Sequence, residues 1–148
     1  MGAVRVEGVR RFTYLARKLK GIDSKKLRSE FYAGINRVGK PLVANVRTSF
    51  ATKLPKSGGL AARVAKSKIS TKRRMTGRAA GIRIVGTDRY DLASINRGRV
   101  RHLTYGHKPW FSQAVTPKTF DTPLEAGAPA ARAALEKVMD DIARELEG

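Results

Sequence analysis

Apolar residues recur at helical intervals in three stretches of this chain and alternate with other residues between them. Over 9–20, Val9, Phe12, Leu15, Ala16 and Leu19 share one face, with Arg10, Arg11, Arg17, Lys18 and Lys20 largely on the other. That pattern predicts a short amphipathic helix ending at Gly21. Asp23 or Ser24 can cap a long second helix, whose stripe of Leu27, Phe31, Ile35, Val38, Leu42, Val46 and Phe50 is the strongest helical signal present. The stripe stays in phase across Gly39 and Pro41, which predicts a kink rather than an end, and it stops near Thr52. Residues 54–59, Leu-Pro-Lys-Ser-Gly-Gly, then form a turn.

The period changes after that turn. Leu60, Ala62 and Val64 alternate with other residues, as do Ile82 and Ile84, predicting two strands. Their connection carries Lys66, Lys68, Lys72, Arg73, Arg74 and Arg78 without an acid, and is expected to be a long exposed hairpin arm over 66–78. Residues 87–98 read as loop. Val100, His102 and Thr104, then 110–115, predict one or two further strands.

From 122 onward the helical period returns, with Ala128, Ala131, Leu135, Val138, Ile142 and Leu146 in a stripe. Asp121 or Thr122 can cap this helix and Pro123 suits its first turn, although Pro129 leaves open a start only there. Small residues around Ala130, Ala131, Ala133 and Ala134 allow another helix to approach closely. The fold expected is α+β: two N-terminal helices and a C-terminal helix at 122–147, packed on one face of a small antiparallel sheet with a long basic hairpin arm. At 148 residues, the chain is one domain's worth.

Charge adds a partner to this picture. The chain has 31 Lys and Arg against 12 Asp and Glu, a net +19, yet residues 119–148 hold three cations against seven acids. The excess therefore lies before residue 119. Solubility needs a net charge of only about 2 to 8, so self-repulsion on this scale favours an anionic partner, either phosphate or an acidic protein surface. No apolar run approaches a membrane span and residues 1–7 lack a signal-peptide core, so the chain reads as soluble and cytoplasmic at synthesis.

Candidate catalytic chemistry is thin. Without cysteine there are no thiolate sites or disulfides. His102 and His107 lack the further ligands of a metal set and are expected to flank a strand end. Asp88 and Asp91 sit beside Arg89 in a loop, where turn capping is the commoner use of Asp, and a metal-dependent phosphoryl-transfer role for them is a distant rival. Gly39-Lys40-Pro41 lacks the rest of a phosphate loop, and no serine elbow is present. No enzyme activity and no cofactor are expected.

The best binding signal is the basic segment itself: Arg63, Lys66, Lys68, Lys72, Arg73, Arg74, Arg78 and Arg83, interleaved with Ser67, Ser70, Thr71 and Thr76. Such a set contacts phosphates without reading sequence, or docks on an acidic neighbour. Trp110 and Phe111 are expected as core or interface anchors rather than base-stacking platforms, and Leu135, Val138 and Ile142 as packing or inter-subunit contacts.

A resemblance emerges in the last third. Arg101-His102-Leu103-Thr104-Tyr105-Gly106-His107, then Trp110, Gln113-Ala114-Val115-Thr116-Pro117, Phe120, Pro123-Leu124 and the Ala-rich amphipathic end resemble the tail-component and tail-completion family of long-tailed bacteriophages, in the version carried by phages of actinobacteria. The stretch His107-Lys108-Pro109-Trp110 is longer and more aromatic than the commonest family pattern. The resemblance implies a virion structural protein at the head-tail junction. It further implies a homo-oligomeric ring, six subunits by expectation, that joins connector or neck proteins to the tail tube or terminator around the DNA channel. A small basic nucleic-acid-binding protein is the alternative.

Overall fold

The computed structural model describes residues 3–4, 25–75, 80–86, 91–104 and 107–147. The helix expected over 9–20, its neighbours Asp23 and Ser24, and Arg78 and Asp88 lie outside them. The described residues form an α+β fold with two separate antiparallel sheets.

Helix α1, Lys25–Lys53, is 29 residues long and runs unbroken through Pro41. Its predicted stripe is the centre of the core: Phe31, Ile35, Val38, Leu42, Val46 and Phe50 are all buried. Pro41 and Arg37, whose carbonyl loses its helical donor to the proline, are both exposed. The missing hydrogen bond therefore falls on the solvent side, where water can replace it.

The expected strand at 60–64 is instead a helix, α2, Leu60–Ala65, entered through a 3-10 turn at Ser57–Gly59. Gly58 and Gly59 take φ of 68° and 75°, a left-handed conformation that strains any residue with a Cβ, and this sharp reversal places α2 back on α1. Ala61 and Val64, three apart, are the buried pair, whereas the apparent alternation of Leu60, Ala62 and Val64 over five residues does not distinguish the two periods.

The first strand of the main sheet lies within the segment expected as an arm. Strands β2, Ile69–Met75, and β3, Ala80–Gly86, pair antiparallel through seven residue pairs from Ile69↔Gly86 to Met75↔Ala80. A two-residue strand β1, Ala3–Val4, pairs on the other side of β3, giving the order β1-β3-β2. Ile69, Ile82 and Ile84 are buried, and Thr71 lies against Gly39 of α1, so residues 69–72 are docked rather than a free arm.

Short helix α3, Leu92–Asn96, occupies the expected loop, burying Leu92 and Ile95. Where one or two strands were expected, β4, Arg99–Thr104, and β5, His107–Ala114, form a two-stranded ribbon of their own, with His102 opposite Phe111 and Leu103 opposite Trp110. The two histidines thus flank the ribbon's turn in sequence, as expected.

Helix α4, Asp121–Glu147, begins before Pro129 and runs through it. It packs antiparallel on α1: Gly34 faces Val138 at one end, and at the other a Cβ built on Gly127 would sit 2.7 Å from Leu42 Cδ2. Buried Leu124, Ala131, Leu135, Met139 and Ile142 complete the core. The rings of Phe50 and Phe120 lie 6.2 Å apart, linking the end of α1 to the start of α4.

Candidate functional site

The eight predicted cationic residues divide by position. Arg63 Nη2 donates to the Gly58 carbonyl at 2.9 Å, so this side chain braces the turn before α2 while remaining exposed. Lys66 and Lys68 precede β2 and both are exposed. Lys72 and Arg83 are cross-strand partners and both are exposed, while Arg73 pairs with Ile82 and Arg74 with Gly81 along the backbone. Arg78 lies outside the described residues. Like charges directly opposite each other destabilise a sheet, and residues 31–87 contain no Asp or Glu at all. Lys72 and Arg83, with Ser70 two residues earlier on β2, make the most concentrated cationic strip among the described residues.

One arginine in that acid-free region has a structural task that charge counting missed. Arg47 Nη1 donates to the carbonyls of Ala65 at 2.6 Å and Ser67 at 2.9 Å, binding the C-terminal end of α2 to α1. Carbonyls at a helix C-terminus lack intrahelical donors and carry the negative end of its dipole, so a guanidinium suits them. Nothing in the local spacing around Arg47 announces this, because the contact spans 18 and 20 positions.

The predicted anchors also divide. Leu135 and Ile142 are 1% and 3% exposed and belong to the chain's own core, and Val138 packs on Gly34 of α1. They are therefore packing residues, and the inter-subunit half of that expectation does not apply to buried Leu135 and Ile142. Phe111 is the reverse: it is 50% exposed on β5, and Ser112, Gln113 and Ala114 beside it are exposed as well. The Trp110 side chain lies outside what is described.

The ribbon carrying Phe111 is firmly rooted. Asn96 Oδ1 accepts from the backbone N–H groups of Phe120 at 3.1 Å and Asp121 at 3.0 Å, while its Nδ2 donates to Asp121 Oδ2 at 2.8 Å. Asn96 thereby caps α4 from the end of α3. Val115 N–H donates to the Gly98 carbonyl at 2.9 Å, closing the base of the ribbon. Gly98 has φ of 90°, and a Cβ there would sit 3.1 Å from the Val115 oxygen, so glycine is required at this root.

Between α1 and α4, on their outer side, runs an apolar groove of about 390 Å³. Its lining combines buried Gly34, Val38, Leu42 and Ala131 with exposed Pro41, Ala130, Ala134, Arg37 and Lys137. Lys137 pairs with Asp141 at 3.8 Å. At that end of the helix pair Glu30 of α1 and Glu145 of α4 share a hydrogen bond, which, with the neighbouring Glu30 charge, holds the Glu145 carboxyl above the usual carboxylate range against the opposing pull of Lys26. The Ala-rich pattern signals a close helix approach, whereas the groove exists only because α4 is set against this face of α1.

Two further candidates have structural places, whereas Asp88 lies outside the described residues. Asp91 is the N-cap of α3: its Oδ1 accepts from Ser94 N–H at 3.0 Å and its Oδ2 from the Ser94 hydroxyl at 2.7 Å. Those bonds, the hydroxyl's first, hold its carboxyl below the usual range, with Arg97 adding a smaller pull. Gly39-Lys40-Pro41 lies inside α1. Among the described residues no group of three His, Cys, Asp or Glu is placed to hold a metal ion, and no helix is long and apolar enough to cross a membrane. No family model matches this chain, and no curated protein or solved structure matches it either.

Proposed function

We propose that this chain is a non-enzymatic structural subunit that assembles head to tail into a ring, and that the ring is a neck or tail-completion piece of a long-tailed bacteriophage. On this reading it acts in the virion, at the head-tail junction, joining the connector to the tail tube around the DNA channel, after synthesis in the host cytoplasm. The observation that carries the assembly reading is the division of charge between faces: α4 has seven acids against three cations, whereas residues 31–87 have no acid. The acidic helix packs on the basic α1 within one subunit, and its outward carboxylates remain to complement the basic body of another copy, an arrangement that repeats by rotation. The sequence from 101 to 124 supplies the phage assignment, through its resemblance to the tail-completion family.

The test is assembly. Native mass spectrometry of purified protein is expected to find a closed oligomer, six subunits by the resemblance, and the oligomer is expected to join isolated connectors or tail tubes. A protein that stays monomeric and joins neither overturns this reading.

A second reading, a nucleic-acid-binding protein, is favoured by the Lys72 and Arg83 pair with Ser70. It expects the monomer to bind duplex with steep salt dependence, and Lys72→Glu or Arg83→Glu to lower the slope of log K against log salt by about 0.9 for each phosphate left without its cation. An unchanged slope counts against it.

A further inference from the structure

Two features of the described residues suit a contact between copies. The first is the ribbon β4–β5, which packs Val100 on the core near its root yet leaves Phe111 half exposed. The second is the apolar groove between α1 and α4. We propose that the groove of one copy receives the β4–β5 ribbon of the next, with Phe111 seated against Ala130 and Ala134 and Arg99 and Arg101 of the ribbon toward Glu30 and Glu145.

This contact rests on the ring reading and supplies the surfaces that would meet. Shape and polarity agree: an aromatic side chain is a compact apolar knob, and a lining that includes glycine, alanine and proline leaves room for one. Arg37 in that lining is a suitable neighbour for the face of a ring. Charge agrees as well. The ribbon strands carry Arg99, Arg101 and Lys108 and no acid, whereas the end of the helix pair beside the groove holds two carboxyls close enough to share a hydrogen bond. Cations arriving there relieve a repulsion that the free subunit retains. The lining cation Lys137 is already partnered by Asp141, which lessens its opposition to a basic ribbon.

Since Phe111 is exposed in its own chain, the seat it would fill belongs to another copy. Knob and groove are different surfaces of the same molecule, so the contact is heterologous, the type that closes into rings or runs on as filaments.

The absence of cysteine makes disulfide trapping clean. Gln113→Cys, which leaves Phe111 intact, is mixed with Ala130→Cys, and separately with Lys137→Cys, under mild oxidation. Cross-linked dimers are expected in at least one mixture and in neither variant alone, and the Gln113→Cys/Ala130→Cys double variant is expected to give a ladder of oligomers. Phe111→Ala is expected to weaken association about thirtyfold, as a buried aromatic anchor does, with an unchanged circular dichroism spectrum, while Phe111→Trp retains it. Oligomers that form without either cross-link and tolerate Phe111→Ala overturn the groove contact and leave the ring reading standing. A wild-type protein that is monomeric at every concentration overturns both.

Discussion

Asn96 joins three parts of the molecule through one residue. Its Oδ1 takes the N–H groups of Phe120 and Asp121, its Nδ2 holds Asp121, and its own carbonyl accepts from Lys118 N–H. Asn96→Ala leaves those α4 donors without a side-chain acceptor and is expected to cost about 1 to 2 kcal/mol, read as a lower midpoint in urea. Glu145 makes the opposite kind of contribution. Its raised carboxyl pKa means that the folded chain holds a proton more tightly than the unfolded one, so this group supports folding at acid pH and loses that support as pH rises through its folded pKa. Glu145→Gln is therefore expected to raise the melting temperature at neutral pH and to leave it nearly unchanged below the ordinary carboxylate range. Equal shifts at both pH values would show that the carboxyl pair is not responsible.

Among the elements, those with long apolar periods were legible and those defined by distant partners were not. The stripe from Phe31 to Phe50 and that from Ala131 to Ile142 repeat over enough turns that only a helix buries them on one side. Alternation at 100–104 and 110–115 announced one or two strands, and the structure pairs two of them, at 99–104 and 107–114. By contrast, β2 buries Ile69 and half-buries Thr71 amid polar and cationic residues, so its sequence reads as a solvated arm. It is a strand because β3 offers seven pairing positions and because Gly39 leaves space on α1 for Thr71. A Cβ on Gly39 would lie 2.6 Å from Thr71 Oγ1. Gly39→Ala should gain about 1 kcal/mol of helix propensity, but overpacking against a β-branched side chain on a paired strand costs about 1 to 3 kcal/mol. Net destabilisation is expected in thermal unfolding, and Thr71→Ala in the same chain should recover most of it. If Gly39→Ala stabilises the protein on its own, the packing of β2 on α1 is looser than described.

For the molecule as a whole, net charge acts in two directions. A chain at +19 repels itself, so salt that shortens the Debye length to about 3 Å at 1 M is expected to raise the melting temperature of the isolated subunit. On the proposed ring reading, in which acidic α4 of one copy meets the basic body of the next, the same salt is expected to weaken association between copies. Calorimetry and sedimentation on one salt series measure both effects. Parallel changes in the two would mean that the contacts between copies are chiefly apolar.

Composition and periodicity were sufficient for the α+β class, for both long helices, for strand structure within 100–115 and for the separation of acid from base along the chain. These are local or additive properties, visible wherever a pattern repeats or a count accumulates. The three-dimensional arrangement alone decided that 60–65 is helix, that 69–75 is a paired strand and that Arg47 holds backbone carbonyls instead of a partner. It also decided that Leu135 and Ile142 pack within their own chain, that Phe111 faces out, and that α1 and α4 leave an apolar groove between them. Each depends on which distant residue stands opposite. A pairing partner, a missing Cβ or a carbonyl 18 positions away leaves no periodic trace in the segment it shapes.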